Sequence, residues 1–125
     1  MSEEERRILV VEDDPDGQQV MATILQHLNI PLDVANDSVE AEQFLFQSGV
    51  NYHAAIIDLA LPGKDGWGLL SDILNNPNTA KMPCIAVTAY HTSKLREDAL
   101  VAGFVAYFAK PVDATRLARE LEALL

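Results

Sequence analysis

The chain has 125 residues, 49% hydrophobic and 22% charged, with a formal net charge of −10. That length suits one domain, residues 1–125, and a chain of this size buries enough surface to fold without disulfides or metals. A single cysteine, Cys84, excludes a disulfide framework and any Cys/His zinc spacing.

Apolar runs such as Ala54–Ile57 fall far below a membrane span. The opening Met1-Ser2-Glu3-Glu4-Glu5-Arg6-Arg7 has no hydrophobic signal-peptide core, and about six residues here are expected to be loosely ordered. The expectation is a cytoplasmic chain with no membrane contact. The charge is uneven. Residues 1–60 hold 12 Asp/Glu against 2 Lys/Arg, whereas residues 61–125 hold 7 against 7. A field of that sign repels phosphate backbones, which argues against direct nucleic-acid binding.

In chain order, Ile8-Leu9-Val10-Val11 is too short for a helix and reads as a strand buried on both faces. Val20, Met21, Ile24, Leu25 and Leu28 then recur at helical spacing, with Pro15 in the first turn and Asp14 as N-cap. This helix offers Gln18, Gln19, Thr23 and Gln26 to solvent, with no Asp, Glu, Lys or Arg from Gln18 to Leu28. The two-beat unit repeats. Leu32–Ala35 is a strand, and Ser38 opens a helix with Val39, Ala41, Phe44 and Leu45 on its apolar face, stopped near Gly49. Ala54–Ile57 is a strand, followed by a Pro/Gly loop and a helix over Trp67–Leu74. Cys84–Val87 is a strand, Lys94–Ala102 a helix ended by Gly103, Phe104–Phe108 the last strand, and Asp113 caps a helix running to Leu124.

Five strand–helix units with short connections imply an α/β domain, a doubly wound parallel sheet flanked by five helices. Such sheets carry their sites at the carboxyl ends of the strands. There the sequence places Glu12 and Asp13 after the first strand, Asp58 after the third, Thr88 after the fourth and Lys110 after the fifth. One polar residue at a strand end is unremarkable; five at one edge are not. Three carboxylates without His or Cys call for a hard cation, Mg²⁺ or Mn²⁺. Cation, ammonium and hydroxyl together suit a phosphoryl group, and a central carboxylate can accept one as an acyl phosphate.

Val10-Val11-Glu12-Asp13-Asp14, the stretch from Asp58 to Gly66, Thr88-Ala89 and Lys110-Pro111 resemble the receiver domain of bacterial response regulators in two-component signalling. The likeness covers nearly the whole chain, in order and at family spacing. It implies a flavodoxin-like fold with strand order 2-1-3-4-5. It also implies that Asp58 is the phosphoacceptor and that Glu12, Asp13, Asp58 and the Ala60 backbone carbonyl hold the metal. Thr88 and Lys110 would contact the phosphoryl oxygens, Tyr107 would be the aromatic switch that turns inward as Thr88 moves, and the Lys110–Pro111 bond would be cis. The implied donors are a histidine kinase or a histidine phosphotransfer protein, docking on the first helix, with an unidentified downstream protein as output. On this reading the chain is a signalling switch that catalyses its own phosphorylation and dephosphorylation, rather than an enzyme, with no cofactor-binding residues besides the metal ligands. Glu12 stands where Asp is commoner, and Lys64 adds charge near the site. Val105 and Ala106 replace the acids that pair charged dimers, so a monomer or a weak apolar dimer is expected.

Competing patterns fare worse. Glu12-x-Asp14-x-Asp16-Gly17 opens like a calcium loop, but its twelfth position is Thr23 and a strand precedes it. Gly63–Gly68 has neither a dinucleotide fingerprint nor a Walker lysine pattern, and the acids after the first strand would repel a flavin phosphate. His27, His53 and His91 show no ligand spacing, and Cys84 and Trp67 are expected to pack. The remaining alternatives are a receiver-like binding module that does not cycle phosphate and a small Asp-dependent phosphatase.

The resemblance generates one prediction about the lifetime of an acyl phosphate. The water that hydrolyses it approaches past Ala60 and Tyr90, and Ala60 has no group to hold that water. Ala60→Asn with Tyr90→Glu supplies polar groups able to orient water, each 1.36 kcal/mol of barrier being roughly tenfold in rate. The phosphoprotein half-life of the double variant, read by acid-labile phosphate, is expected to be shorter than that of the parent.

Overall fold

A computed structural model describes residues 6–61 and 64–125. Most of the segment expected to be loosely ordered, residues 1–5, and the loop residues Pro62 and Gly63 lie outside the described residues; Arg6 is exposed and outside any strand. The elements alternate as β1 (Ile8–Val11), α1 (Pro15–His27), β2 (Leu32–Ala35), α2 (Ser38–Gln47), β3 (Ala54–Asp58), α3 (Gly66–Asn75), β4 (Cys84–Thr88), α4 (Ser93–Ala102), β5 (Ala106–Ala109) and α5 (Ala114–Leu124). All strand pairs are parallel, in the order β2-β1-β3-β4-β5. This is the flavodoxin-like arrangement that the resemblance implied.

Period-two alternation divides the core between the two faces of the sheet. Ile8, Val10, Ile56, Ile85 and Val87 point to one face, where Met21, Ile24 and Leu25 of α1 meet Leu117 and Leu121 of α5. Leu9, Val11, Ile57 and Ala86 point to the other, against Ala41 of α2, Leu69, Leu70 and Ile73 of α3, and Ala99 of α4. Because β1 is covered on both sides, all four of its residues are at most 1% exposed. That is why its sequence is continuously apolar rather than alternating.

Side chains start every helix. Asp14, Asp37, Asp65, Thr92 and Asp113 each accept a backbone N–H from the first turn of α1 to α5 respectively, satisfying donors that a helix end otherwise leaves open. Asp14 and Asp113 are the caps read from sequence, and Pro15 opens α1 as expected.

Three details differ from the sequence reading. Val39 is 61% exposed and leaves the apolar face of α2 to Ala41, with Phe44 and Leu45 half-buried. Val20 is likewise exposed on α1. The last strand begins at Ala106, not Phe104. Phe104 is buried before it, its N–H closing onto the Ala99 carbonyl at the end of α4. A helix end and a strand start are both apolar here, so hydrophobicity alone does not separate them.

One glycine is fixed by close approach rather than by a turn. A Cβ on Gly66 would lie 2.6 Å from the Asp58 carbonyl oxygen and 2.8 Å from the Leu59 Cα, both backbone atoms. The start of α3 therefore packs directly on the end of β3. A Cβ on Gly68 would meet only the flexible stem of Lys64, at 2.7 Å. Gly66→Ala should therefore lower the melting temperature by about 5–10 °C, from an overpacking cost of about 1–3 kcal/mol. Gly68→Ala should cost clearly less, and thermal unfolding of the two variants side by side checks the order.

Candidate functional site

The carboxyl ends of the central strands are stitched together by backbone bonds that continue past the ladders. Glu12 N–H donates to Ala35 O (3.0 Å), Leu59 N–H to Val87 O (3.0 Å) and Lys110 N–H to Thr88 O (2.8 Å). These bonds fix where β1, β3 and β5 release their next residues. The released side chains meet. Lys110 Nζ lies 2.5 Å from Glu12 Oε1 and 2.9 Å from Asp58 Oδ2, with both carboxylates buried. Asp58 Oδ1 accepts the Ala60 N–H at 2.9 Å, and Glu12 Oε2 accepts the Asp14 N–H at 3.3 Å.

Glu12, Asp13 and Asp58 each offer a carboxylate oxygen within 4.8 Å of the others, with Asp13 exposed. Oxygen-only donors this close, open to water through Asp13, fit a hard divalent cation that keeps part of its hydration shell. Burial raises the Glu12 carboxyl above its usual value, and the Lys110 ammonium only partly offsets this. Burial alone would lower the Lys110 ammonium, but its hydrogen bonds to Glu12 and Asp58 outweigh that and hold it above its usual value. The lysine is therefore a permanent cation among these acids. An ammonium of this kind can steady a second anion brought to the same place.

Thr88 is buried beside them at the end of β4, and its Oγ1 accepts the Tyr90 N–H at 3.0 Å. Tyr107, whose strand pairs with β4 through Ala86, is 8% exposed with its ring inward. The Lys110–Pro111 peptide is cis, as the resemblance implied. Glu12, Asp13, Asp58, Thr88 and Lys110 thus gather at one sheet edge, and Ala60 is exposed next to Asp58. Ala106 is buried in the core layer to which α1 and α5 contribute, while Val105 is exposed.

Two expectations need correction. Lys64 does not add a free charge to the site: its ammonium bonds Glu42 of α2 at 3.0 Å and also Asp72 of α3. Gln18 is not simply solvent-facing, because its side-chain amide donates to Glu12 O (2.7 Å) and Asn36 Oδ1 (2.6 Å).

The sequence reading missed three contributors. Gln18 is one, holding the backbone of Glu12. Gly17 is another, since a Cβ there would lie 2.3 Å from Glu12 Oε1; its glycine makes room for the carboxylate. His91 is the third. Its Nδ1 lies 3.0 Å from the Tyr107 hydroxyl, a pairing between a loop and a strand 16 residues apart. Only the sheet order, with β5 beside β4, would have pointed to it.

Known proteins share this sequence pattern and fold. The family model for the response regulator receiver domain matches residues 8–122. An uncharacterized 14.6 kDa protein of Leptolyngbya boryana is 35% identical over 90% of this chain and 84% of its own. The transcriptional regulatory protein PmrA of Pectobacterium parmentieri is 32% identical over 95% of this chain, which spans about half of that relative (52%). Among solved structures, the receiver domain of the sensor histidine kinase PA1611 from Pseudomonas aeruginosa superimposes with a TM-score of 0.85. It is 32% identical, covers 96% of this chain and 97% of its own, and carries magnesium in its active-site cleft. Fold and relatives agree, and the chain belongs to the response regulator receiver domain family of two-component systems.

Proposed function

We propose that this chain is a phosphoacceptor switch in which Asp58 takes a phosphoryl group from the phosphohistidine of a kinase or of a phosphotransfer protein. The observation that carries this reading is Lys110 Nζ 2.9 Å from Asp58 Oδ2, inside a cluster of oxygen donors. An Asp58 carboxylate oxygen attacks phosphorus, the P–N bond to the donor imidazole breaks, and the electron pair leaves with the ring nitrogen. The product is an acyl phosphate on Asp58. Lys110 releases part of its hold on Asp58 and follows the phosphoryl oxygens, while Thr88 turns its hydroxyl from the Tyr90 amide toward them.

Glu12, Asp13, Asp58 and the Ala60 carbonyl are the groups that would hold Mg²⁺ or Mn²⁺. The ion supplies charge neutralisation of the phosphoryl oxygens. Water returns the protein to its starting state, so the chain acts on its own side chain rather than turning over an external substrate. Its proposed location is the cytoplasm, where the ATP that loads a kinase is found. Docking of the donor falls on α1, whose outward Val20, Gln19 and Thr23 are uncharged.

The direct test is incubation with acetyl phosphate and Mg²⁺, followed by intact mass. A gain of one phosphoryl group, acid-labile in character and lost in Asp58→Asn, is the expected outcome. No incorporation at Asp58 would favour the non-cycling binding module instead.

Metal linkage gives a second prediction. Mg²⁺ binds the folded state alone, so it should raise the melting temperature, as about 2.7 kcal/mol of stabilisation at a hundredfold excess over Kd. Asp13→Asn should abolish most of that gain, while raising the metal-free melting temperature by relieving repulsion. The gain should also shrink on acidification. Protons compete for Glu12, whose carboxyl titrates above the ordinary 4.5, so the loss begins at a higher pH than an unperturbed glutamate would give. Thermal unfolding with and without Mg²⁺ across the acidic range checks both statements.

A further inference from the structure

The phenol of Tyr107 is buried at the face formed by β5 and the loop that leads into α4, and a buried phenol needs a partner. One side chain of that loop serves it. The His91 imidazole lies over the ring edge, with centroids 5.5 Å apart and planes tilted by 49°, and its Nδ1 is 3.0 Å from the hydroxyl. With His91 Nδ1 accepting from the hydroxyl, as in the tautomer that carries its ring proton on Nε2, the buried phenol has its partner.

We infer that His91 is a positioning residue that latches Tyr107 inward before any phosphoryl group arrives. The latch stands on this geometry alone; its meaning for signalling rests on the proposed function, together with the role as aromatic switch that the resemblance implies for Tyr107. In that setting His91 presets the output face. The inward ring is already the main state in the resting protein, and phosphorylation has little further ring movement to drive. On the segments flanking it, Tyr90, Val101 and Val105 are 73%, 87% and 48% exposed. A partner that reads the inward ring would therefore bind the resting protein appreciably.

The latch can be tested on the full chain carrying 3-fluorotyrosine, with the Tyr107 signal assigned through Tyr107→Phe. In the parent, the ¹⁹F resonance of Tyr107 should be shielded from a soluble paramagnetic probe. His91→Ala should shift the inward-to-outward ratio by about fivefold toward outward, the worth of one ordinary hydrogen bond. His91→Asn should keep the ring inward, because its Oδ1 stands where Nδ1 stood. His91 is exposed, so neither change threatens the core. Unchanged shielding in His91→Ala, or an Asn variant that behaves like the Ala one, overturns the latch.

Acetyl phosphate with Mg²⁺ then separates this inference from the reading it extends. Phosphorylation should move the ring little in the parent and clearly inward in His91→Ala. Failure of Asp58 to take phosphate would sink the proposed function, while the ring populations without phosphate would still decide the latch.

Discussion

One ammonium group among three acids is the constraint on which the site depends. Lys110 bridges Glu12 and Asp58, two buried carboxylates from different strands, with Asp13 close by. Without a cation this group of charges would push β1 and β3 apart at their carboxyl ends. Breaking such a buried arrangement by removing one member costs far more than the pairing itself contributes. The lysine is thus structural in this state, and the proposed phosphoryl transfer would give it a second role. The backbone around it is tied through Lys110 N–H to Thr88 O and through the β4–β5 pairing, which holds the ammonium in place.

The rest of the chain supports this arrangement from below. Two apolar layers on the faces of the sheet supply the driving force, and no charged side chain is needed in either. The buried carboxylates Glu12 and Asp58 sit at the strand ends, where they oppose stability rather than add to it. This separation lets the site carry repulsion that a scattered arrangement could not tolerate. Gly66 and Gly17 are the points where the two regions touch, one pressed on the backbone of Asp58 and the other on the carboxylate of Glu12.

Much of this was legible in the sequence, for physical reasons that differ by element. Ile8–Val11 and Cys84–Val87 announced buried strands because strands covered on both faces cannot alternate. Asp14 and Asp113 announced helix starts because the cap chemistry is local. Glu12, Asp13, Asp58, Thr88 and Lys110 were readable because a parallel sheet sends every strand end to the same edge. What failed depended on facing rather than on order. Val39 has the right character for a core but the wrong angle on α2, and the Phe104–Ala106 boundary is apolar on both sides. Lys64 was drawn to Glu42 and Asp72 by two helices whose juxtaposition no local pattern encodes. His91 escaped for the same reason: its partner lies on another strand.

The bridge from Lys110 to Glu12 joins residues 98 positions apart. As the chain leaves the ribosome, β1 and β3 emerge long before the lysine that neutralises their acids. The two carboxylates must wait in water, or beside a borrowed cation, until β5 docks against β4. Closure of the acidic edge is therefore a late event in maturation, governed by the arrival of the last strand. A nascent or clipped chain lacking β5 would also lack α5, losing Phe108, Leu117 and Leu121 from one apolar layer as well as leaving a negatively charged, open rim. Such a chain would lose the cation of its acidic edge and part of its core in one stroke, so the last strand and helix complete the site and the fold together.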